Sequence, residues 1–338
     1  MDNGKSSPVT LKTIADEVGI SVTAVSKALR GEYGVSSETQ KKVKETAERL
    51  NYRHNSVAQS LRTNSTGTLG LIVSDSSFSF FTPVIEGVER AASENKYNII
   101  LCNASSNVEK EKEAVKILLS KRVDGLLLAA SLLNRKKYKK YLDSLGIPYV
   151  FLVRRGESDE SDFVINDNVY GSYQIVNFLI GTGSRNVFFI NIHEEITSYS
   201  DRQIGYEKAL RSNGLEVDPS MIYGAKPTVE DGYAAMSRIL KENPTGVDAV
   251  FCGCDVIAIG AMEAILDSGR KIPQDIRVAG YDDIEYAAYL RVPLTTVRQP
   301  KYKIGKMGTE VVINRIKGNF AGTANVILRP DLVLREST

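Results

Sequence analysis

From Leu69 onward, short apolar runs alternate with amphipathic stretches long enough to form helices. This alternation constrains the fold more than any other feature of the chain. A strand that reads as an unbroken apolar run is buried on both faces, and strands joined through helices run parallel. The spacing predicts strands at Leu69–Val73, Ile99–Cys102, Gly125–Ala129 and Tyr149–Val153. A second series follows at Val187–Asn191, Val247–Cys252 and Arg277–Tyr281. Helices are expected over Pro83–Glu94, Glu109–Leu119, Tyr170–Ile180, Arg202–Asn213 and Asp255–Ser268. The fold class is therefore α/β, with two doubly wound parallel-sheet lobes after a small all-helical segment. With 338 residues and 42% apolar content, the chain can fill more than one core.

The residues before Leu69 follow a different pattern. Leu11, Ile14, Ala15 and Val18 recur at helical spacing, Gly19 permits a turn, and Ser21 is placed to cap a second helix. In that helix Val25, Ala28 and Leu29 form the apolar side, and Val22, Thr23, Ser26, Lys27 and Arg30 fall opposite. A small, polar and cationic outer face after a tight turn is what a major groove admits, so the pattern reads as a helix-turn-helix. The bland alternative is a helical subdomain with a solvated charged face. A third helix is expected over Ser37–Leu50, with Ser37 and Gln40 as a capping box and Val43, Ala47 and Leu50 as its stripe. Lys41, Lys42 and Lys44 lie near its start, where they suit phosphate contacts.

Asn55 to Arg62 is a further helical pattern, too short to hold alone, before a linker at Thr63–Thr68. It is expected to be loose in the free protein and helical when two copies pair on DNA. Leu61 is then a candidate minor-groove wedge, the alternative being a chance leucine in a plain linker. These readings divide the chain into a head (1–54), a hinge and linker (55–68) and a two-lobed body (69–338).

Charge and motif content exclude other classes. Residues 1–62 carry ten Lys/Arg against seven Asp/Glu, and the whole chain is +2, a mild asymmetry that agrees with a DNA-binding head on a neutral body. Gly181 to Asn186 starts like a dinucleotide loop, but it lacks the third glycine and precedes a strand. The two histidines, His54 and His193, belong to no nucleophile–base pair. An enzyme is not expected, nor a cofactor. Cys102, Cys252 and Cys254 read as core thiols, with no zinc set around them. With no secretory signal and no membrane-length apolar run, the expected setting is soluble and cytoplasmic, without membrane partners.

Ligands in open α/β sheets bind beyond the carboxyl ends of strands. That rule selects Ser74, Asp75, Phe80 and Phe81 after the first strand, and Arg154 and Asp167 near the boundary between the two strand series. It also selects Arg202 at a helix opening, Cys254 and Asp255 after one strand of the second series, and Asp282 after another. Rings, an arginine and carboxylates suit a polyol. One of the two phenylalanines is equally well read as core, and Asp167, Asp255 and Asp283 as helix caps.

The chain resembles the LacI family of bacterial transcription repressors. The likeness lies in T-I-A-D-E-V-G-I-S-V-T-A-V-S-K-A-L-R-G from Thr13 and L-N-Y-R-H-N-S-V-A-Q-S-L-R from Leu50. It continues in L-G-L-I-V-S-D at Leu69, I-N-D-N-V-Y-G at Ile165, A-V-F-C-G-C-D at Ala249, A-G-Y-D-D at Ala279 and L-T-T-V-R-Q-P at Leu294. The resemblance implies that Val22, Thr23 and Lys27 read base edges and that Leu61 levers the minor groove with Arg62 beside it. The full set expected at DNA is Thr10, Val22, Thr23, Ser26, Lys27, Arg30, Asn55, Leu61 and Arg62.

It also implies a periplasmic-binding-protein-like body whose chain crosses between lobes near Asn166, Thr296–Pro300 and Asn319–Ala324. Arg202 and Asp282 match the family's ligand-contact positions. The implied partners are a pseudopalindromic double-stranded operator, a second copy of the chain and a small-molecule effector of sugar type. No heptad follows Arg335–Thr338, so a dimer is expected. Two departures stand out. His54 occupies a usual proline, and Cys254 a usual asparagine, which puts ordinary hexose recognition in doubt because a thiol bonds hydroxyls poorly. The competing hypothesis is a sugar-binding module without DNA function.

Overall fold

In the amino-terminal segment, three helices close a core around Ile14, Ala15, Val25, Ala28, Val43 and Ala47, as the apolar stripes require. They are α1 (Leu11–Val18), α2 (Val22–Arg30) and α3 (Ser37–Arg49). The computed structural model describes residues 9–52, 65–105, 107–129, 136–155, 161–192, 196–319 and 322–338. It falls into two units, Met1–Thr66 and Gly67–Thr338. Gly19 ends α1 at φ 77°, where a side chain would be strained. Ser21 Oγ accepts the Ala24 N–H at 3.1 Å and starts α2. The third cap differs from expectation. Ser36, not Ser37, holds the extended cap conformation and accepts the Thr39 N–H at 3.2 Å, while Gln40 turns back to the Val35 carbonyl. An ion pair between Glu17 and Arg49 ties α1 to α3. The expected hinge helix at Asn55–Arg62, and His54, lie outside the described residues.

The body contains two parallel sheets. The first runs β11-β5-β4-β3-β1-β2, with β1 (Thr68–Val73), β2 (Asn98–Asn103), β3 (Gly125–Leu128), β4 (Tyr149–Leu152), β5 (Phe163–Asn166) and β11 (Asn325–Leu328). The second runs β7-β6-β8-β9, with β6 (Val187–Asn191), β7 (Ile222–Gly224), β8 (Ala249–Cys252) and β9 (Arg277–Ala279). A short antiparallel pair joins β10 (Thr296–Arg298) to β12 (Asp331–Val333). The strands at the sheet centres are the apolar runs visible in the sequence, and they are buried almost throughout.

Helices cover both faces of each sheet. α4 (Phe81–Glu94), α5 (Val108–Ser120), α6 (Lys136–Asp143) and α11 (Lys301–Ile316) belong to the first lobe. α7 (Asn168–Gly181), α8 (Thr197–Ser212), α9 (Val229–Glu242) and α10 (Asp255–Asp267) belong to the second. α4 and α11 approach backbone to backbone. A Cβ at Gly87 would strike the Tyr302 carbonyl, and one at Gly305 the Val84 carbonyl. Among the described residues no helix is long and apolar enough to cross a membrane.

The chain passes between lobes where β5 gives way to α7, and again where β10 gives way to α11. The third passage departs from the expected Asn319–Ala324. Residues Asn325 to Leu328 still pair with Phe163 to Asn166 in the first sheet, so the crossing falls at Leu328–Asp331, between β11 and β12. The Asp167 N–H donates to the Leu328 carbonyl at 2.8 Å and ties the first crossing to the third. After β12, Ser337 Oγ donates to the Val278 carbonyl at 2.6 Å and accepts the Thr295 N–H at 2.8 Å, anchoring the tail on the second lobe.

Candidate functional site

Two surfaces carry the candidate chemistry. On the head, α2 buries Val25 and Ala28 and turns the opposite face outward. Val22 is 44% exposed, an unusual position for valine that suits contact with a base methyl. Thr23 is exposed beside it, and Lys27 is partly buried with no carboxylate within ion-pair distance among the described residues. Arg30 is less available than its position suggests. Its Nε and Nη2 donate to the Glu32 carboxylate at 2.6 and 3.1 Å, and its Nη1 to Ser26 Oγ at 2.9 Å. Thr10 caps α1, exchanging bonds with Thr13 at 3.2 and 3.3 Å. Its hydroxyl is thus committed to the helix start. Asn55, Leu61 and Arg62 lie outside the described residues.

The body holds a cleft of about 490 Å³ with walls from both lobes. The first lobe supplies Ser74 and Phe80 from the turn after β1, Phe81 from the first position of α4, and Arg154 after β4. The second supplies Arg202, Cys254 and Asp282. Six of the nine residues expected at the effector therefore meet in one cavity. Phe81 has a second duty, since it is also part of the first-lobe core. Arg202 sits in the second turn of α8, not at its opening, because the helix begins five residues earlier than its apolar pattern suggests.

Arg202 is the most constrained side chain of the cleft. Its Nε donates to Asn168 Oδ1 at 3.0 Å, its Nη1 to the Gly253 carbonyl, and its Nη2 to Asp282 Oδ1 at 3.3 Å. Its guanidinium carbon lies 3.8 Å from the centre of the Tyr281 ring and 5.0 Å from that of Tyr199. Burial works against its charge, but Asp282 and its other neighbours hold its pKa above the ordinary value. Burial raises the Asp282 pKa, while Arg202 and Lys301 oppose that rise.

The backbone at Asp282 and Asp283 is strained, with φ at 114° and 48°. Lys301 at the start of α11 holds this turn by donating to both carbonyls, at 2.6 and 2.8 Å. Burial pushes the Cys254 thiol up to about 12, so it stands neutral in the cleft wall.

Three expected effector residues are not among those lining the cleft. Asp75 folds back on its own turn and accepts the Ser77 N–H at 2.9 Å. Asp167 caps α7, accepting the Tyr170 N–H at 2.9 Å. Asp255 is fully buried; it accepts the Ile284 N–H at 2.8 Å and the Thr296 hydroxyl at 2.5 Å, bracing the loop at Ile284 against the start of β10. It is the first residue inside α10, not its cap, which is Cys254. The strand-end rule places these carboxylates correctly just past strands but cannot say which way they turn. It also leaves out Ser198 and Tyr199 on the first turn of α8, and Val256 and Ile259 on α10. Val256 and Ile259 recur at i, i+3, a signal that a core face gives equally well.

A model described as "Bacterial regulatory proteins, lacI family" matches residues 10–55, and one described as "Periplasmic binding proteins and sugar binding domain of LacI family" matches residues 66–335. The chain belongs to the LacI family. Like other LacI-family members, it carries a helix-turn-helix domain followed by an effector domain of periplasmic-binding type, and is a transcriptional regulator. The HTH-type transcriptional regulator RegA of Clostridium saccharobutylicum is 34% identical over 330 residues, 97% of this chain and 99% of the relative. The HTH-type transcriptional repressor PurR of Vibrio campbellii is 34% identical over 331 residues, 97% of this chain and 98% of the relative.

Among solved structures, the lac repressor dimer bound to operator and the anti-inducer ONPF matches with a TM-score of 0.88 and 25% identity, covering 98% of this chain and 99% of that one. A complex of the transcriptional regulator CelR with cellobiose matches with a TM-score of 0.75 and 30% identity, covering 98% and 100%.

Proposed function

We propose that this LacI-family protein represses carbohydrate-related genes as a homodimer on a pseudopalindromic operator, under control of a small sugar-type effector. The head (1–54) meets DNA, with Val22, Thr23 and Lys27 at base edges and two copies of α2 in successive major grooves. Residues 55–68 act as hinge, and Leu61 bends the minor groove. The two lobes of the body (69–338) take the effector between them. The protein works in the cytoplasm, where its DNA is.

The observation that carries this reading is the pairing of Arg202 with Asp282 in a cleft whose walls come from both lobes. A molecule bonded there contacts both lobes at once, so its binding free energy differs between open and closed arrangements. That difference is what an allosteric effector needs. The cellobiose complex of the related regulator CelR supports a sugar-type ligand.

The test is fluorescence anisotropy on DNA selected by the protein from random sequence, at several salt concentrations, with and without effector candidates. The expected result is a symmetrical half-site pair, affinity that falls steeply with salt, and a shift by at least one sugar-type compound. A compound that stabilises the body while no sequence is selected would leave only a sugar-binding module.

A further inference from the structure

The loop just past α2 carries a side chain that the base-reading face does not use. Tyr33 is 102% exposed, and its hydroxyl has no hydrogen-bond partner among the described residues. A lone exposed ring needs no explanation in itself. This one is held outward by the backbone on either side of it. Gly31 ends α2 at φ 68°; its N–H donates to the Ala28 carbonyl at 3.2 Å, and the Glu32 N–H donates to the Lys27 carbonyl at 3.0 Å. Gly34 follows Tyr33 at φ 99°, a conformation that side chains rarely adopt. The loop also lies against the outer face of α2, since a Cβ on Gly34 would stand 4.0 Å from Lys27 Nζ. Tyr33 is therefore one residue along the chain from the backbone that meets the Lys27 ammonium.

We propose that Tyr33 is a clamp on the DNA backbone: its hydroxyl donates to a phosphate and its ring packs on the adjoining deoxyribose, at the end of each half-site reached by the C-terminus of α2. This rests on the reading that the head meets operator DNA. In a helix-turn-helix the N-terminal residues of the second helix meet base edges, so a loop past its C-terminus comes to the groove wall, where sugars and phosphates stand. The charges there favour a neutral donor. The end of a helix is negative through its dipole, and Glu32 adds a carboxylate, which Arg30 offsets at 2.6 Å. A phenol bonds phosphate without a charge of its own to desolvate, and its ring covers apolar sugar surface. A contact of this kind adds affinity for any sequence and takes no part in base choice.

The chain has no tryptophan, so Tyr33→Trp places a single indole in each protomer at the contact. Acrylamide quenching of that indole is measured in the full-length protein, free and saturated with a duplex that the wild type has selected from random sequence. The indole should be open to the quencher in the free protein and shielded on the duplex. In parallel, Tyr33→Phe should weaken binding about tenfold, the size of a hydrogen bond to a charged group, and should do so on the selected duplex and on an unrelated duplex of equal length alike. The slope of log affinity against log salt should remain that of the wild type, because no cation is removed. An indole as open on the bound duplex as off it, a Tyr33→Phe affinity equal to that of the wild type, or a loss confined to the selected duplex overturns the proposal. Each of these outcomes leaves DNA binding by the head intact. A wild type that selects no duplex instead removes the DNA reading, and the clamp with it.

Discussion

At the level of single residues, hydrogen-bond partners decide which charges are available. Arg30 lies on the outer face of α2, yet Glu32 and Ser26 take up three of its donors. Glu32→Gln should release it towards phosphate. Operator affinity at low salt should then rise, and the slope of log affinity against log salt should steepen by about one. An unchanged slope means that Arg30 meets no phosphate. Lys27→Ala should cost about 1–3 kcal/mol on the best site and relax base preference at one position. A binding-site selection with the variant reads both. Asp255 offers a test by pH. Its carboxyl is pushed up to about 8, first by burial and then by the charge of Asp282. The unfolded value is about 3.9, so between the two values the folded state holds a proton that the unfolded chain has released. This group's contribution to stability therefore falls as pH rises from about 4 to about 8. Asp255→Asn can still accept from Ile284 and bond Thr296. The melting temperature of the wild type, relative to this variant, should fall across that window, and parallel curves would show that Asp255 does not titrate there.

At the level of elements, legibility in the sequence follows from how each element buries itself. β1, β3, β6 and β8 are apolar runs buried on both faces, and the sequence marks each within two residues. α11 is invisible to an apolar count because part of its buried face is Gly305, Gly308 and Thr309. α9 hides similarly behind Gly232 and Ala235. Glycine there serves close approach, which only the partner helix reveals. β10 and β12 are three residues each and exist by pairing with one another. Gly305→Ala should force α4 and α11 apart and cost about 1–3 kcal/mol or more, read by urea denaturation, since a methyl has nowhere to go against the Val84 carbonyl. A loss below about 0.5 kcal/mol would show that the helix pair yields easily.

At the level of the whole molecule, three crossings let the two lobes share one cleft, and Lys301 links the strained Asp282–Asp283 turn to the helix that leads back into the first lobe. The order of motifs along the chain makes this architecture readable, as does the residue pair Arg202 and Asp282. The third crossing is not readable in the sequence, because the apolar run Asn325 to Leu328 fits a strand of either sheet until it pairs with β5. The aspartates that turn away from the cleft were likewise hidden, since a carboxylate after a strand caps or braces as readily as it binds. Arg202→Ala should spare operator binding and abolish the response to effector, which anisotropy with and without the most active sugar-type compound measures. A retained response places the effector elsewhere. Regulation of DNA by the head is the claim on which the rest depends, and footprinting of the purified full-length protein across genomic fragments tests it most directly. Protection should concentrate on a few sites of two inverted half-sites, with enhanced cleavage at their centre where the hinge residues bend the minor groove. Uniform weak protection along every fragment, whichever effector candidate is added, would contradict it.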